Sequence, residues 1–445
     1  MFAIIKITAR RMLVRVYRIH ETKFIVKWGG EKYLERAILH SDLNCFYASV
    51  ETMLNPALRD KAVAVCGSTE DRHGIVLAKS ELAKRAGVKT GMVNWEAKRC
   101  CPNLIMVAPQ YEQYLKYSKL TRAIYERYTD LVEPFGMDEC WLDVSGSQRI
   151  YGDGLSIAEE IRKTVREELG MTVSIGVSYN KIFAKLGSDM KKPDAITTIS
   201  HDEYKEKVWP LAASEMIYVG RATEKKLSSY GIHTIGDIAK TSPDFLRSKL
   251  GKNGEQLWVY ANGADTSRVM QSGFHSPVKS IGHGITCNAD LETPDEVWKV
   301  MLHLSQDIGH KLRVHELCAK GVQITVKDNG LAYKQYQAPL EIATQSSMEI
   351  AALARRLFDT NYRWHTDVRA VTVRAINLIP KETPQQLILF DDAEKREKRD
   401  KLEDAIEDIR GRFGKWAVYP AALLGEMKLP GHSSHDIIMP GMMYS

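Results

Sequence analysis

At 445 residues, 44% of them apolar and 27% charged, the chain is too long for one ordinary hydrophobic core and has the balance of a soluble globular protein. No run approaches the roughly 18 apolar residues of a membrane span, and no N-terminal stretch has the apolar core and cleavage site of a secretory signal. The net charge of +6 invites a polyanion partner, but residues 1–36 carry nine Lys/Arg against three Glu, so the remaining body is formally neutral and must rely on local patches. The seven cysteines are odd in number and scattered, with no C-x-x-C, which favours a reducing cytoplasm and argues against a zinc site.

Residues 1–36 mix basic and apolar residues without a clean period. They read as a strand hairpin, a basic arm or an extension from an early start codon, the last being preferred. Ala37 to Leu43 begins as a strand, with Asp42 and Asn44 on one face. A helix follows from Phe46 and stops near Asn55-Pro56. Val63–Gly67 and Gly74–Ala78 are short strands. Ser80–Arg85 is a helix ended by Gly87. Ile105–Ala108 leads through Pro109 into a tyrosine-rich helix, Tyr111 to Tyr128.

Leu131–Glu133 and Trp141–Val144 form a hairpin, with Pro134 and Gly136 marking the turn. Helix Ile157–Leu169 repeats Ile157, Ile161, Val165 and Leu169 at fourfold spacing, with Gly170 as its cap. Strand Thr172–Val177 and the basic helix Lys181–Met190 complete a β-α-β-β-α-β order, a ferredoxin-like layer with a small insert after its first strand and helix. Residues 200–270 are helical, and 271–279 read as a linker. From 280 to 380 strands alternate with helices around an open sheet. In Lys320–Lys327, Val322, Ile324 and Val326 share one face, and Gln323, Thr325 and Lys327 the other. Val368–Leu378 is a long strand. The tail, 381–445, holds Gln386-Leu387-Ile388-Leu389-Phe390 and then a charged helix with Leu402, Ile406, Ile409 and Phe413 on one side. That side is expected to dock on its own domain.

Asp138 and Glu139 sit where a turn feeds a strand. Neighbours on a regular strand point to opposite faces, so the backbone must bend for both to serve one site. Taken alone the pair reads as a solvated hairpin tip. A ferredoxin-like layer, however, sets its first strand beside the central hairpin, so Asp42 can join them. Three acids cannot all stay ionised in one pocket without cations, and two Mg²⁺ ions resolve the repulsion while activating a hydroxyl and holding a triphosphate. The lysine-laden run Ser178–Pro193 can meet surplus phosphate charge, although such a run is ordinarily a solvated face.

Three stretches now resemble one family in order and spacing: His40-Ser41-Asp42-Leu43-Asn44-Cys45-Phe46-Tyr47-Ala48-Ser49-Val50-Glu51, Met137 to Val144, and Lys181 to Pro193. They resemble the Y-family (translesion) DNA polymerases, in their bacterial polymerase IV, DinB-like branch, over roughly residues 37 to 390. The resemblance implies an α/β (α+β) right-hand polymerase: ferredoxin-like palm (37–45 and 110–199), small fingers (46–109), helical thumb with a helix-hairpin-helix (200–270), linker (271–279) and a little-finger α/β domain (280–380).

It also implies roles. Asp42, Asp138 and Glu139, with the Leu43 carbonyl, would bind two Mg²⁺. Tyr47 would be the steric gate that excludes a ribose 2′-hydroxyl. Lys192, Lys84 and Phe46 would contact the nucleotide, and Ile75 and Leu77 would roof the base pair. Gly220, Lys225 and Lys226 resemble half of a helix-hairpin-helix that aims backbone N–H groups at a DNA phosphate, with Tyr218 in place of the first hairpin glycine. Gln323, Thr325 and Lys327 are further DNA contacts, a solvated face being their plain reading. Gln386, Leu387, Leu389 and Phe390 fit the Q-L-x-L-F peptide that docks on the beta sliding clamp.

Two departures stand out. Asn44 replaces a second Asp, outside the three core ligands. Glu81 and Lys84 stand where a Tyr and an Arg usually clasp the triphosphate, and Glu81 cannot donate. The expected partners are primer-template DNA, dNTPs and the clamp, with no membrane, for a monomeric cytoplasmic enzyme that is nucleoid-associated when active. The rivals are a non-polymerising relative that binds clamp and DNA, and another two-metal palm enzyme such as a nucleotide cyclase.

Overall fold

The computed structural model describes residues 15–19, 23–27, 36–274, 276–384, 393–425 and 427–430. The chain divides into two compact units, one of residues 1–44 and 119–273, the other of 45–118 and 274–445. Within the first 36 residues, strands Arg15–Ile19 and Lys23–Lys27 pair antiparallel.

The first unit is built on a five-stranded sheet. Its order is Ile196–Ile199, Val173–Ser178, Ile38–Leu43, Glu139–Asp143, Val132–Phe135. Leaving out the added edge strand, this is the fourth-first-third-second order of a ferredoxin-like layer. Ile38–Leu43 is buried along its whole length, because it lies between two antiparallel partners. Helix Gly154–Leu169 starts where the Asp153 side chain accepts from the Ser156 N–H and ends at Gly170, whose φ is +64°. Its Ile157, Ile161 and Val165 are fully buried, each contributing about 1.5–3 kcal/mol relative to exposure.

Helix Lys181–Met190 lies across the same sheet. Asn180 caps it by accepting from the Phe183 N–H at 2.8 Å. Its close approach depends on Gly176, where a Cβ would overlap the Ala184 carbonyl. Beyond residue 200 come short helices, among them Arg221–Ser228, Ile235–Lys240, Pro243–Leu250 and Lys252–Ala261, around Leu227, Ile235, Ile238, Leu246 and Leu257.

In the second unit a three-stranded sheet sets Val63–Cys66 between antiparallel Val76–Lys79 and parallel Ile105–Val107. Helix Phe46–Leu54 packs on it, and helices Glu81–Arg85 and Asn94–Cys100 add Ala83 and Ala97 to its small core. The last of these helices has no apolar period to betray it: only Ala97 faces in, and Trp95 is 62% exposed.

The unit's larger part is an antiparallel sheet ordered Ser280–Leu291, Val368–Pro380, Leu317–Asp328, Tyr333–Thr344. Helices Pro294–Val314 and Ser347–Asn361 pack against it through Val300, Leu304, Ile350 and Leu357. Val322, Ile324 and Val326 are buried while Gln323, Thr325 and Lys327 stay part-exposed, as the alternation predicts.

The tail corrects one expectation. Helix Ala393–Phe413 does not dock through its apolar side: Leu402 is 60% and Phe413 69% exposed. It docks through charge. Glu403 is buried, taking hydrogen bonds from Arg313 at 2.8 Å, Ser346 Oγ and the Ser347 N–H. His310–Glu407, Arg410–Gln306 and Arg399–Glu349 extend the seam. Gln386–Phe390 lie outside the described residues.

Candidate active site

Gly136, with φ +86°, allows the turn between strands Val132–Phe135 and Glu139–Asp143. Glu139 opens the second strand directly opposite Asp42 on the neighbouring first strand. Asp138 is the last residue of the turn, and its carbonyl accepts from the Leu43 N–H at 3.0 Å. The bend required for adjacent carboxylates to share a site is therefore a turn-to-strand junction tied to the end of the first strand.

Like charges directly across a sheet are destabilising. The effect shows in the acids themselves. Burial, then the charges of Asp42 and Glu139, push the Asp138 carboxyl up to about 7. Burial, then Glu139, also raise Asp42 despite two nearby lysines.

Those lysines come from helix Lys181–Met190 and its C-terminal loop. Lys185 Nζ stands 2.8 Å from Glu139, 3.4 Å from Asp42 and 3.1 Å from Asp189. Lys192 Nζ stands 2.7 Å from Asp42 and 2.8 Å from Asp189. Burial alone would lower both ammonium groups, but the surrounding carboxylates hold them above the usual lysine range. Lys185 falls inside the lysine-laden run Ser178–Pro193, but no role for it in particular could be read from the sequence. The available signal was helical spacing within the run: Lys185 and Asp189 fall at i and i+4, while Lys192 lies just past the helix end at Met190.

His40 lies beneath the acids. Burial first, then Lys185, keep its ring well below the ordinary histidine value and hence neutral. Ser188 Oγ donates to the Lys185 carbonyl, so His40 Nδ1 must donate to Ser188 at 2.8 Å. That leaves the bare Nε2 facing Glu139 Oε2 at 3.4 Å, and both atoms are buried without a hydrogen-bond partner.

Among the described residues no three His, Cys, Asp or Glu side chains are placed so as to hold a metal ion as they stand, since ammonium groups occupy the acids instead. The donor set fits hard cations nonetheless: three carboxylates, one with an orphan buried oxygen and two raised by burial and then by one another's charge.

Asn44 stands just beyond the first strand and away from this cluster. Its Oδ1 accepts from Thr172 Oγ1 at 3.0 Å and the Asp194 N–H at 2.8 Å, and its Nδ2 donates to Ser174 Oγ at 2.9 Å. It pins the loop that follows Lys192.

In the second unit, helix Phe46–Leu54 begins after Cys45, whose φ of +51° is left-handed. Phe46 is buried and Tyr47 part-exposed. Glu81 Oε1 lies 3.4 Å from Cys45 Sγ and 3.5 Å from Lys84 Nζ, so Glu81 joins two neighbouring groups. Ile75, just before the strand, and Leu77, on it, flank the fully buried Val76, Ile75 being 40% exposed.

Gly220 caps helix Arg221–Ser228, where Lys225 and Lys226 lie in the last turn and the Lys226 ammonium is donated to the Lys249 carbonyl. Tyr218, in the hairpin-glycine place, adopts φ +71° and stacks on Tyr260. The left-handed backbone a glycine would supply is thus kept by a tyrosine, at a cost of about 1–2 kcal/mol. Gln323 pairs across the sheet with Gln337 and Thr325 with Gln335.

Sequence comparison gives the same direction. The impB/mucB/samB family model matches residues 41–189, its C-terminal domain model residues 278–389, and the DNA polymerase-iota thumb domain residues 218–265. A DNA polymerase IV of Acetivibrio thermocellus is 49% identical over 396 residues, covering 89% of this chain and 99% of that protein. One from Pelotomaculum thermopropionicum is 36% identical, over 87% and 95%, and DNA polymerase IV 2 of Bacillus subtilis 35%, over 88% and 95%. A solved Y-family DNA polymerase chimera superposes with a TM-score of 0.69 at 22% identity, covering 77% of this chain and 99% of that one, which shows the shared fold. The protein is a right-hand nucleic-acid polymerase in architecture. Within that class the chain belongs to the impB/mucB/samB family of Y-family DNA polymerases, among relatives named DNA polymerase IV.

Proposed function

We propose that the chain is a template-directed DNA polymerase for translesion synthesis, joining a primer 3′-hydroxyl to the α-phosphate of a dNTP with loss of pyrophosphate. One observation carries the mechanism: Asp42 and Glu139 face each other across the sheet, with Asp138 beside them at a carboxyl raised to about 7. Such a cluster is short of positive charge. Asp42, Asp138, Glu139 and the Leu43 carbonyl would hold two Mg²⁺ ions, which when bound would acidify the 3′-hydroxyl and stabilise the leaving pyrophosphate. Lys185 and Lys192 offset only part of the acids' charge until then. Lys192, freed from Asp42, turns to the triphosphate, and Lys84 adds a point charge there without the fork of an arginine. Catalysis is positioning and electrostatics.

The remaining roles rest on the family pattern. Phe46 contacts the nucleotide and Tyr47 gates its sugar. Ile75 and Leu77 roof the nascent pair. Gly220, Lys225 and Lys226 hold DNA phosphates through the thumb, and Gln323, Thr325 and Lys327 line the little-finger face. The palm, fingers, thumb, linker, little finger and tail keep the boundaries given above. Small fingers imply an open site and low fidelity. The protein works as a cytoplasmic monomer at the nucleoid, tethered to the sliding clamp by Gln386, Leu387, Leu389 and Phe390. The complete carboxylate set weighs against the non-polymerising alternative that Glu81 and Lys84 suggest.

The test is primer extension on a primed template with Mg²⁺, over undamaged and damaged templates. Template-dependent extension is expected, and Asp138→Asn should abolish it while DNA binding persists. No extension at any nucleotide concentration, or synthesis indifferent to the template, would overturn the reading.

A further inference from the structure

Behind Tyr47 the second unit carries a buried polar device that catalysis by the palm acids does not use. The Tyr47 ring lies flat on Tyr114, with centroids 4.1 Å apart and an interplanar angle of 9°. Tyr111 meets Tyr47 edge-on at 6.0 Å and Tyr114 at 5.8 Å, and Phe46 lies against both Tyr47 and Tyr114. Tyr114 is fully buried, and its hydroxyl is donated to the Glu51 carboxylate. Glu51, only 4% exposed, takes a second hydrogen bond from Gln110 Nε2 at 2.7 Å on its other oxygen. Glu51 also lies four residues after Tyr47, one turn along the same helix.

The ring that backs Tyr47 is therefore held twice, by its face against Tyr47 and by its hydroxyl to the helix that carries Tyr47. Burying a carboxylate is costly unless it is fully hydrogen-bonded, and an apolar residue would fill this place at less expense. What the carboxylate adds is an anchor: a charge-assisted bond holds the tip of the Tyr114 ring in place, which apolar packing alone leaves to rotamer preference, while the stack on Tyr47 sets the ring plane. Burial, then the bond to Glu51, hold the Tyr114 phenol above the usual tyrosine range, so it stays a donor.

We propose that Glu51 and Tyr114 are positioning residues that stiffen the Tyr47 ring and so set how strictly the polymerase discriminates between deoxyribose and ribose. The proposal rests on Tyr47 being the sugar gate. A gate that works by exclusion discriminates only while it does not yield. If the ring can tilt away, a 2′-hydroxyl fits and the deoxynucleotide loses little.

The experiment compares kcat/KM for one dNTP and the matching rNTP in the full-length wild type and in Tyr47→Ala, Tyr114→Phe, Glu51→Gln and the Tyr114→Phe/Glu51→Gln double variant. Melting curves check that each variant folds. Tyr114→Phe keeps the stacked ring and loses only the hydroxyl. It should lower the dNTP/rNTP selectivity ratio by about tenfold, the size an off-rotamer ring position permits. Glu51→Gln should lower it in the same direction, and the double variant should go no further than the stronger single one, because both break one link. Equal losses for the two nucleotides would mean that the pair only supports the fold, and would overturn the proposal. So would an unchanged ratio in Tyr114→Phe and Glu51→Gln when Tyr47→Ala relaxes it. An unchanged ratio in Tyr47→Ala would instead remove the gate assignment itself, and the proposal with it.

Discussion

Asp138 shows how one residue's setting becomes a property of the protein. Its carboxyl lies at about 7 in the fold instead of the ordinary 3.8, through burial and then through Asp42 and Glu139. Between those values the folded chain binds the proton more tightly than the unfolded chain. The stability this contributes is complete below the lower value and lost as pH rises through about 7. In chelator-treated protein, the wild type should therefore lose melting temperature relative to Asp138→Asn across that window. Adding Mg²⁺ above pH 7 should restore more to the wild type than to the variant. Parallel melting curves at every pH would contradict this. Lys185 is the complementary case. Its ammonium bridges Glu139, Asp42 and Asp189 with little solvent access. Lys185→Met should cost about 3 kcal/mol without divalent ions, since removing one partner leaves buried charges uncompensated. Mg²⁺ should recover more of the loss than it adds to the wild type, as read from denaturant midpoints with and without the ion. Neither effect depends on nucleotide.

At the scale of elements, position follows from what each segment can bury and what it can bond. Helix Lys181–Met190 presses on its strand only because Gly176 has no side chain, and the same press delivers Lys185 to the acids. Helix Ala393–Phe413 is held differently. It offers few apolar contacts, and its seam runs through Glu403, Glu407, Arg399 and Arg410. A helix held mainly by buried polar pairs should come away as a unit when one central pair is lost. Glu403→Ala should raise amide hydrogen exchange throughout 393–413 by at least about tenfold while strand Leu317–Asp328 stays protected. Unassisted primer extension should be retained. If exchange rose equally in the strand, the helix would be part of the domain's cooperative core instead of an attachment to it.

For the whole molecule, the question is how a nearly neutral body stays on DNA. The formal charge outside the first 36 residues sums to zero, so the overall field cannot do it. That leaves local phosphate contacts and the proposed clamp tether. Deleting Gln386–Phe390 should leave distributive synthesis intact and abolish its stimulation by the sliding clamp, as measured by product length with and without clamp; persistent stimulation would put the docking peptide elsewhere.

Much of this was legible in the sequence. The β-α-β-β-α-β order, the turn before Glu139, the apolar stripe of helix Gly154–Leu169 and the alternation in Lys320–Lys327 are short-range patterns. Burial on one face writes such patterns directly into the chain. Asp42, Asp138 and Glu139 could be named because their neighbours fix strand and turn. Helix Asn94–Cys100 and the exposed apolar edge at Leu402 and Phe413 were not legible, because what a short or charged helix packs against is decided by residues far away in sequence. The same holds for the atoms that tune the site. That Lys185 lies between two acids, that His40 faces Glu139 with a bare nitrogen, and that Glu51 holds the ring behind Tyr47 depend on pairings across 46, 99 and 63 positions. The sequence by itself determined which chemical groups the chain brings and the local elements that carry them. Only the tertiary structure decided their partners, because desolvation and Coulomb terms depend on distances that folding alone sets.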